Sequence, residues 1–198
     1  MTDNNFKNMN FTDNPVFTRV MSMNDNDLHL INELLPELNI KEHASIKDIT
    51  SESLQDRDSS YSCLVKSDDG DVYQVIMQMT DGNNIGKKVR GLRSYADLQL
   101  FERFISIDDL PKTIIVLLTT DDPYQQTLYK RKLQLMEDDD KSLTLGDGIE
   151  LVVLSSNGKT GTPSNQIRDI VNLMNGSENV EDTFSKGILR DLHSVKGE

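Results

Sequence analysis

Residues 59–78, SSYSCLVKSDDGDVYQVIMQ, have the sequence pattern of a β-hairpin. Residues that favour strands lie on both sides of the turn sequence DDGD (68–71), and side chains of different polarity alternate along the first run. An Asp-Gly pair between two such runs is a strong signal for a β-hairpin. The sequence therefore predicts two antiparallel strands, one over 61–66 and one over 72–77.

Further strands and helices are predicted on both sides of the hairpin. Unbroken apolar runs indicate strands covered on both faces, whereas apolar residues three and four positions apart indicate helices. Strands are predicted over 113–119, 128–136 and 149–154, and helices over 14–38 with a break at 24–27, over 87–104, over 165–174 and over 181–195. Buried strands flanked by helices indicate an α/β or α+β fold.

The composition limits the size and the partners of the protein. The chain has 198 residues, of which 33 are acidic and 21 are basic, so its formal net charge is −12. This length fits a single domain, predicted at 11–198, after a polar and disordered arm at 1–10. Such a charge argues against binding of nucleic acid by the whole surface, because phosphates are repelled. Without an apolar span or signal core, we expect a cytoplasmic protein with no membrane partner.

Few residues carry the chemistry of a familiar active site. The three histidines share no ligand spacing, and Cys63, the only cysteine, is interpreted as a small core residue. A basic cluster is a candidate for contacts with nucleic-acid phosphates, and its members are Lys87, Lys88, Arg90 and Arg93. A second basic cluster at 130–132 is interpreted as ordinary surface charge, paired with carboxylates.

Motifs spread over about residues 14–195 resemble those of one known family. They are similar to motifs of the PD-(D/E)XK nuclease family transposases, also called the recombination-promoting nuclease/putative transposase (Rpn) family. Where the family hairpin ends in Ile-Glu-Met-Gln, this chain has VIMQ (75–78). The other motifs are NPVFTRVM (14–21), LINELLPEL (30–38), RGLRSYADLQLF (90–101), TIIVLLTTDDPY (113–124), LGDGIELVVLSSNG (145–158) and IRDIVNLMNG (167–176).

The resemblance implies a restriction-endonuclease-like mixed sheet with flanking helices and a degenerate metal site. In the family, an Asp and a Glu on the two hairpin strands bind Mg²⁺, and a Gln follows the Glu by two positions. Here the Asp position falls on Ser62, the Glu position falls on Ile76, and Gln78 is retained. An upstream helical carboxylate of the family falls near Asn32. A hydroxyl and an aliphatic side chain cannot replace two carboxylates around Mg²⁺.

The first functional hypothesis is a catalytically inactive nuclease-like protein that retains a binding or regulatory role. No cofactor is expected, and the partner would be DNA, bound weakly, or a related family member in a homo- or hetero-oligomer. Gln78, Arg90 and Arg93 would then line the former cleft, and Ser62 would supply a hydrogen bond to the Gln78 amide.

Two alternatives remain. One is an active Mg²⁺-dependent DNA endonuclease, linked to recombination or transposition, that recruits ligands such as Asp69, Asp71 or Asp81. The other is an acidic protein-binding module, for which the net charge of −12 favours a basic partner. A cluster of carboxylates within coordination distance would distinguish the endonuclease from the other two.

Overall fold

The computed structural model describes residues 6–54, 60–101, 106–125 and 127–197. The strands within these residues are β1 (Ile40–His43), β2 (Ser45–Ile46), β3 (Ile49–Thr50), β4 (Tyr61–Ser67), β5 (Val72–Thr80), β6 (Lys112–Thr119), β7 (Lys130–Leu133) and β8 (Ile149–Ser155). Six of them form one sheet in the order β1-β4-β5-β6-β8-β7, and the two short strands β2 and β3 form a separate pair. The helices are α1 (Asn14–Met21), α2 (Asn26–Leu34), α3 (Ser51–Leu54), α4 (Ile85–Phe101), α5 (Asn165–Met174) and α6 (Thr183–Lys196).

The predicted hairpin is formed by β4 and β5, which pair in antiparallel orientation. The Ser67 amide donates to the Asp71 carbonyl (2.9 Å) and closes the turn. Within the turn, Gly70 has a φ of +91°, a left-handed conformation that residues with a Cβ rarely adopt. Turn geometry fixes hairpin register, and here the register places Ser62 directly opposite Ile76.

The centre of the sheet is parallel. Strand β6 pairs with β5 on one side and with β8 on the other, in parallel orientation both times. Helix α4 lies between β5 and β6 in the chain, because parallel neighbours need a long crossover connection. Every residue of β6 after Lys112 is buried, and this explains why its sequence is an unbroken apolar run.

Two apolar layers cover the sheet, one on each face. The larger layer packs α1, α2, α5 and α6 against a face that includes Cys63 and Val75. The smaller layer packs α4 against the opposite face, where Ile76 and Leu117 are buried. Because neighbours along a strand point to opposite faces, Ser62 lies on the α4 face and Cys63 lies on the other.

The fold class predicted from the sequence is confirmed, since a mixed six-stranded sheet is flanked by helices on both faces. The predicted hairpin, buried strands and helices are present, and α4 begins two residues before its predicted start; positions 102–104 lie outside the described residues. The strand predicted over 128–136 is restricted to Lys130–Leu133, and β1 is a strand that the sequence does not predict. None of the helices in the described ranges is long and apolar enough to cross a membrane.

The N-terminal arm, predicted to be disordered over 1–10, is described in part. Residues 1–5 lie outside the described residues. Phe6 and Met9 are partly buried and pack against the larger apolar layer, and the Met9 amide donates to the Phe6 carbonyl (3.0 Å). The described part of the arm therefore packs on the folded core.

Candidate functional site

Ser62 and Ile76 are the two positions where the resemblance places metal-binding carboxylates, and they lie opposite each other in the hairpin. Both are buried, with 2% and 1% of their surfaces exposed. Directly opposed residues have Cβ atoms about 4.5–5.5 Å apart, so two carboxylates here could share one ion. The hairpin thus brings the two positions together, and neither offers a carboxylate.

Ile76 packs into the smaller apolar layer, between the sheet and α4. The other buried members of this layer are Ile85, Ala96, Ile115, Leu117 and Val153. An apolar environment strongly disfavours an isolated charge. Ile76 therefore contributes hydrocarbon at the place where a family member would hold its ion.

Gln78 follows Ile76 by two residues and points to the same face of the sheet. It pairs with Leu117 in β6 and is partly exposed. The hydrogen bond expected between Ser62 and Gln78 is not formed, since the Ser62 hydroxyl has no partner within the described residues. The reason is the register, because Ser62 is level with Ile76 and Gln78 lies about 7 Å further along the strand.

Asn32 is not brought to the hairpin site. Its side-chain oxygen accepts a hydrogen bond from the Ile40 amide (2.8 Å), and its amide nitrogen donates to the Ile40 carbonyl (2.9 Å). Asn32 belongs to α2, whose buried residues pack on the face opposite Ser62 and Ile76. Its role in this structure is to join α2 to the first residue of β1.

Arg93 does not lie beside Gln78, in contrast to the expectation from the sequence. It forms an ion pair with Asp147 (3.2 Å), which lies two residues before the start of β8. Thr113 of β6 pairs with Gln74 of β5 on one side and with Ile149, the first residue of β8, on the other. Ile149 is therefore level with Gln74, and Gln74 lies four residues, or about 13 Å, from Gln78 along β5. Arg93 is thus directed towards the end of the sheet where β8 begins, and Gln78 lies near the opposite end.

The remaining cations of the α4 cluster differ in their pairing. Lys88 donates to Asp81 (2.6 Å), and this hydrogen bond holds the pKa of the Asp81 carboxyl well below its usual range. Lys87 and Arg90 are exposed and have no ion-pair partner among the residues that the structure describes. These two side chains are thus the members of the cluster that an anionic partner would meet first.

The second basic cluster, residues 130–132, is engaged by the protein itself. Lys130 donates to a main-chain carbonyl of α2 (2.8 Å). Lys132 forms ion pairs with Glu37 and with Glu150, the latter at 2.6 Å. The prediction that this cluster is surface charge paired with carboxylates is confirmed for Lys132.

The acidic residues considered as substitute ligands do not gather into a metal site. Asp71 lies beside the hairpin turn and accepts a hydrogen bond from the Tyr73 hydroxyl (3.4 Å), while Asp81 is engaged by Lys88. In the described ranges, no group of three potential metal ligands includes Asp69, Asp71 or Asp81. The distinguishing feature of the active-endonuclease alternative is therefore missing from the part of the chain that is described.

A group of polar side chains that the sequence does not predict converges on the other face of the sheet. It comprises Asp27 of α2, His43 of β1, and Tyr61 and Cys63 of β4. The Asp27 carboxylate is 1% exposed, accepts a hydrogen bond from the Tyr61 hydroxyl (2.8 Å) and lies 2.6 Å from His43 Nε2. We call these four residues the Asp27 cluster. His43 and Tyr61 are 16 and 34 positions from Asp27, and Cys63 is two positions beyond Tyr61, so no local spacing reveals the cluster.

The environment of the Asp27 cluster raises the pKa values of three of its members, and one side of the cluster borders a pocket. The hydrogen bond to Asp27 raises the pKa of His43, and burial raises the pKa values of Tyr61 and Cys63. A pocket of about 550 Å³ lies against Asp27, His43 and Tyr61 and is also lined by Asp25 and Glu52. Among the described residues that line it are three carboxylates and no lysine or arginine, so the pocket favours cations over anions.

Comparison of the chain with protein-family models, with curated proteins and with solved structures finds no match. The resemblance to PD-(D/E)XK nuclease family transposases therefore rests on the sequence motifs quoted above. A mixed sheet flanked by helices is what that resemblance implies, and many other folds share this description.

Proposed function

We propose that this chain is a nuclease-like protein of the PD-(D/E)XK transposase type that does not cleave DNA. The observation that carries the proposal is the pairing of Ser62 with Ile76, at the two positions where the resemblance places metal-binding carboxylates. A hydroxyl and a hydrocarbon side chain do not supply the charged oxygen ligands that Mg²⁺ requires. Without the ion, water is not activated and the charge that develops on the phosphate is not stabilised.

The packing around the hairpin supports this proposal. Ile76 is an integral part of the layer between the sheet and α4, so the lost carboxylate has been replaced by a residue that stabilises the core. Full burial of an Ile side chain contributes about 1.5–3 kcal/mol. A scaffold that keeps its core while losing its metal ligands fits a role in binding rather than in catalysis.

We assign the protein a binding or regulatory role, such as pairing with a catalytically active relative or weak contact with DNA. Lys87 and Arg90 support a contact with an anionic partner, because both are exposed on α4 and neither forms an ion pair within the described residues. The net charge of −12 limits the affinity that such a contact can reach.

The experiment is plasmid cleavage by the purified full chain in Mg²⁺ or Mn²⁺, with a chelator control. The double variant Ser62→Asp/Ile76→Glu restores the two carboxylates at opposed positions. A matched control is Ser62→Asn/Ile76→Gln, which places side chains of the same size, but without charge, at the same two opposed positions. We expect no cleavage by wild type or by the control, and chelator-sensitive cleavage by the restored variant.

A second measurement keeps the test decisive when cleavage is absent. Two buried carboxylates without an ion destabilise the fold, and an ion that they bind stabilises it by mass action. We therefore expect Mn²⁺ to raise the midpoint of thermal unfolding of the restored variant and to leave the control unchanged. Equal responses of the two variants to Mn²⁺ would refute the assigned site, and chelator-sensitive cleavage by wild type would favour the active-endonuclease alternative.

A further inference from the structure

We propose that Asp27, His43 and Cys63 form a binding site for a divalent transition-metal ion, with Zn²⁺ as the best match. These residues offer one carboxylate oxygen, one imidazole nitrogen and one sulfur, and the three ligand atoms all lie within 4.8 Å of one another. Zn²⁺ accepts all three donor types in tetrahedral coordination, at about 2.0–2.3 Å. Mg²⁺ and Ca²⁺ prefer sites built from oxygen alone, so this donor set disfavours them.

The three ligands come from parts of the chain that the fold holds firmly. Asp27 is anchored in α2 by the hydrogen bond that its carboxylate accepts from the Tyr61 hydroxyl (2.8 Å), and Cys63 is fully buried in a central position of β4. His43 belongs to the edge strand β1, and 35% of its side chain is exposed. Two ligands are therefore fixed, and the third is able to move.

Binding requires a small outward movement of the His43 ring. Its Nε2 now lies 2.6 Å from Asp27 Oδ2, a hydrogen-bond distance. Two ligands of one tetrahedral ion, each about 2.0–2.2 Å from it, stand farther apart than this. The ion would displace the proton that lies between His43 Nε2 and Asp27 Oδ2, and the Cys63 thiol would become the thiolate ligand. Both protons would pass to the solvent.

The pocket beside the Asp27 cluster supplies an entry path and a fourth coordination position. Asp27 and His43 both line it, whereas Cys63 lies behind them in the core. Asp25 and Glu52 add two further carboxylates to the lining, which raises the local concentration of cations. An ion with three protein ligands keeps its fourth coordination position open to this pocket. It could exchange water or a further ligand there.

This site is separate from the hairpin positions of the proposed function. Cys63 follows Ser62 directly, so the two side chains point to opposite faces of the sheet. A metal ion held by the Asp27 cluster would join α2, β1 and β4 on the face that carries the larger apolar layer. Metal binding by the Asp27 cluster is therefore independent of DNA cleavage at the hairpin.

The test is titration of the chelator-treated, untagged full chain with Co²⁺, a spectroscopic substitute for Zn²⁺, followed by displacement with Zn²⁺. We expect one equivalent to bind, with the near-ultraviolet absorption of a thiolate–cobalt bond. Cys63→Ser should abolish this absorption, and His43→Gln should weaken binding at least tenfold.

The matched control is His193→Gln. His193 lies 3.1 Å from Glu178 and its side chain is 35% exposed, as is that of His43. This variant should bind Co²⁺ like wild type. Saturation without thiolate absorption, or equal binding by His43→Gln and wild type, would overturn the proposal. Since His43 is partly exposed, His43→Gln keeps the test valid even where Cys63→Ser fails to fold.

Discussion

Asp27 is a buried carboxylate that has two side chains of the protein as hydrogen-bond partners. Hydrogen bonds to charged groups contribute about 1.5–3 kcal/mol each, and an unpaired buried charge is strongly unfavourable. The Tyr61 hydroxyl and the His43 ring satisfy the same oxygen of Asp27, Oδ2. The protonation of His43 and the stability of the fold are therefore coupled through this one atom.

The first prediction concerns the pH dependence of His43→Gln with a chelator present. The hydrogen bond to Asp27 raises the pKa of His43 above its ordinary value of 6.5, so the folded chain holds this proton more tightly than the unfolded chain. The resulting stabilisation is complete below pH 6.5 and is lost as the pH rises through the raised pKa. Urea unfolding should show a larger loss of stability in the variant at about pH 5.5 than at about pH 8.5. An equal loss at both values would contradict the coupling.

The positions of Ser62 and Ile76 could be predicted from the sequence, whereas the Asp27 cluster could not. The register of the hairpin depends on the turn at 68–71, which is local, so the opposed pair follows from the residues between its members. The cluster depends on how α2, β1 and β4 pack together. Cys63 was correctly predicted to be a core residue, but its polar neighbours come from distant parts of the chain.

The strands differ in whether their own residues are enough to predict them. Strand β6 is buried along its length and its sequence is almost wholly apolar, so it is recognised without its neighbours. Strand β1, with the sequence IKEH, has one buried residue and three exposed ones. Pairing with β4 sets its strand conformation, and the residue pattern of β1 alone does not predict this pairing.

The second prediction compares two glycines in different elements. A Cβ at Gly158, which follows β8, would lie 2.6 Å from the Cα of Tyr129, so the main chain would have to move. Gly158→Ala should therefore lower the free energy of unfolding by about 1–3 kcal/mol. A Cβ at Gly187, inside α6, meets nothing within 4 Å, and Gly187→Ala should raise it by about 0.5–1 kcal/mol. Urea unfolding measures both, and effects of the same sign would contradict this account.

The net charge of the molecule, −12, limits the contact with DNA that we propose. The third prediction is that Lys87→Ala/Arg90→Ala weakens binding of a labelled duplex, measured by fluorescence anisotropy at several salt concentrations. Each lost phosphate contact should reduce the slope of log K against log salt by about 1. These two cations are exposed and have no ion-pair partner in the described ranges, so their full charge is available.

A matched pair separates a local contact from an effect of net charge. Lys130→Ala/Lys132→Ala removes the same total charge, but these lysines are engaged by a carbonyl of α2 and by Glu37 and Glu150. We expect this variant to bind the duplex like wild type. Equal weakening in both double variants would mean that the cluster on α4 is not a DNA contact.

The two edges of the sheet have a consequence for self-association. Strands β1 and β7 end the sheet on either side, and each exposes charged residues: Lys41 and Glu42 on one, Lys130 and Lys132 on the other. Charged side chains on an edge oppose the addition of a further strand from another molecule, the step that begins fibril growth. Any assembly of this protein with a copy of itself or with a relative is therefore expected to use its helical faces, and its sheet is protected from open-ended extension.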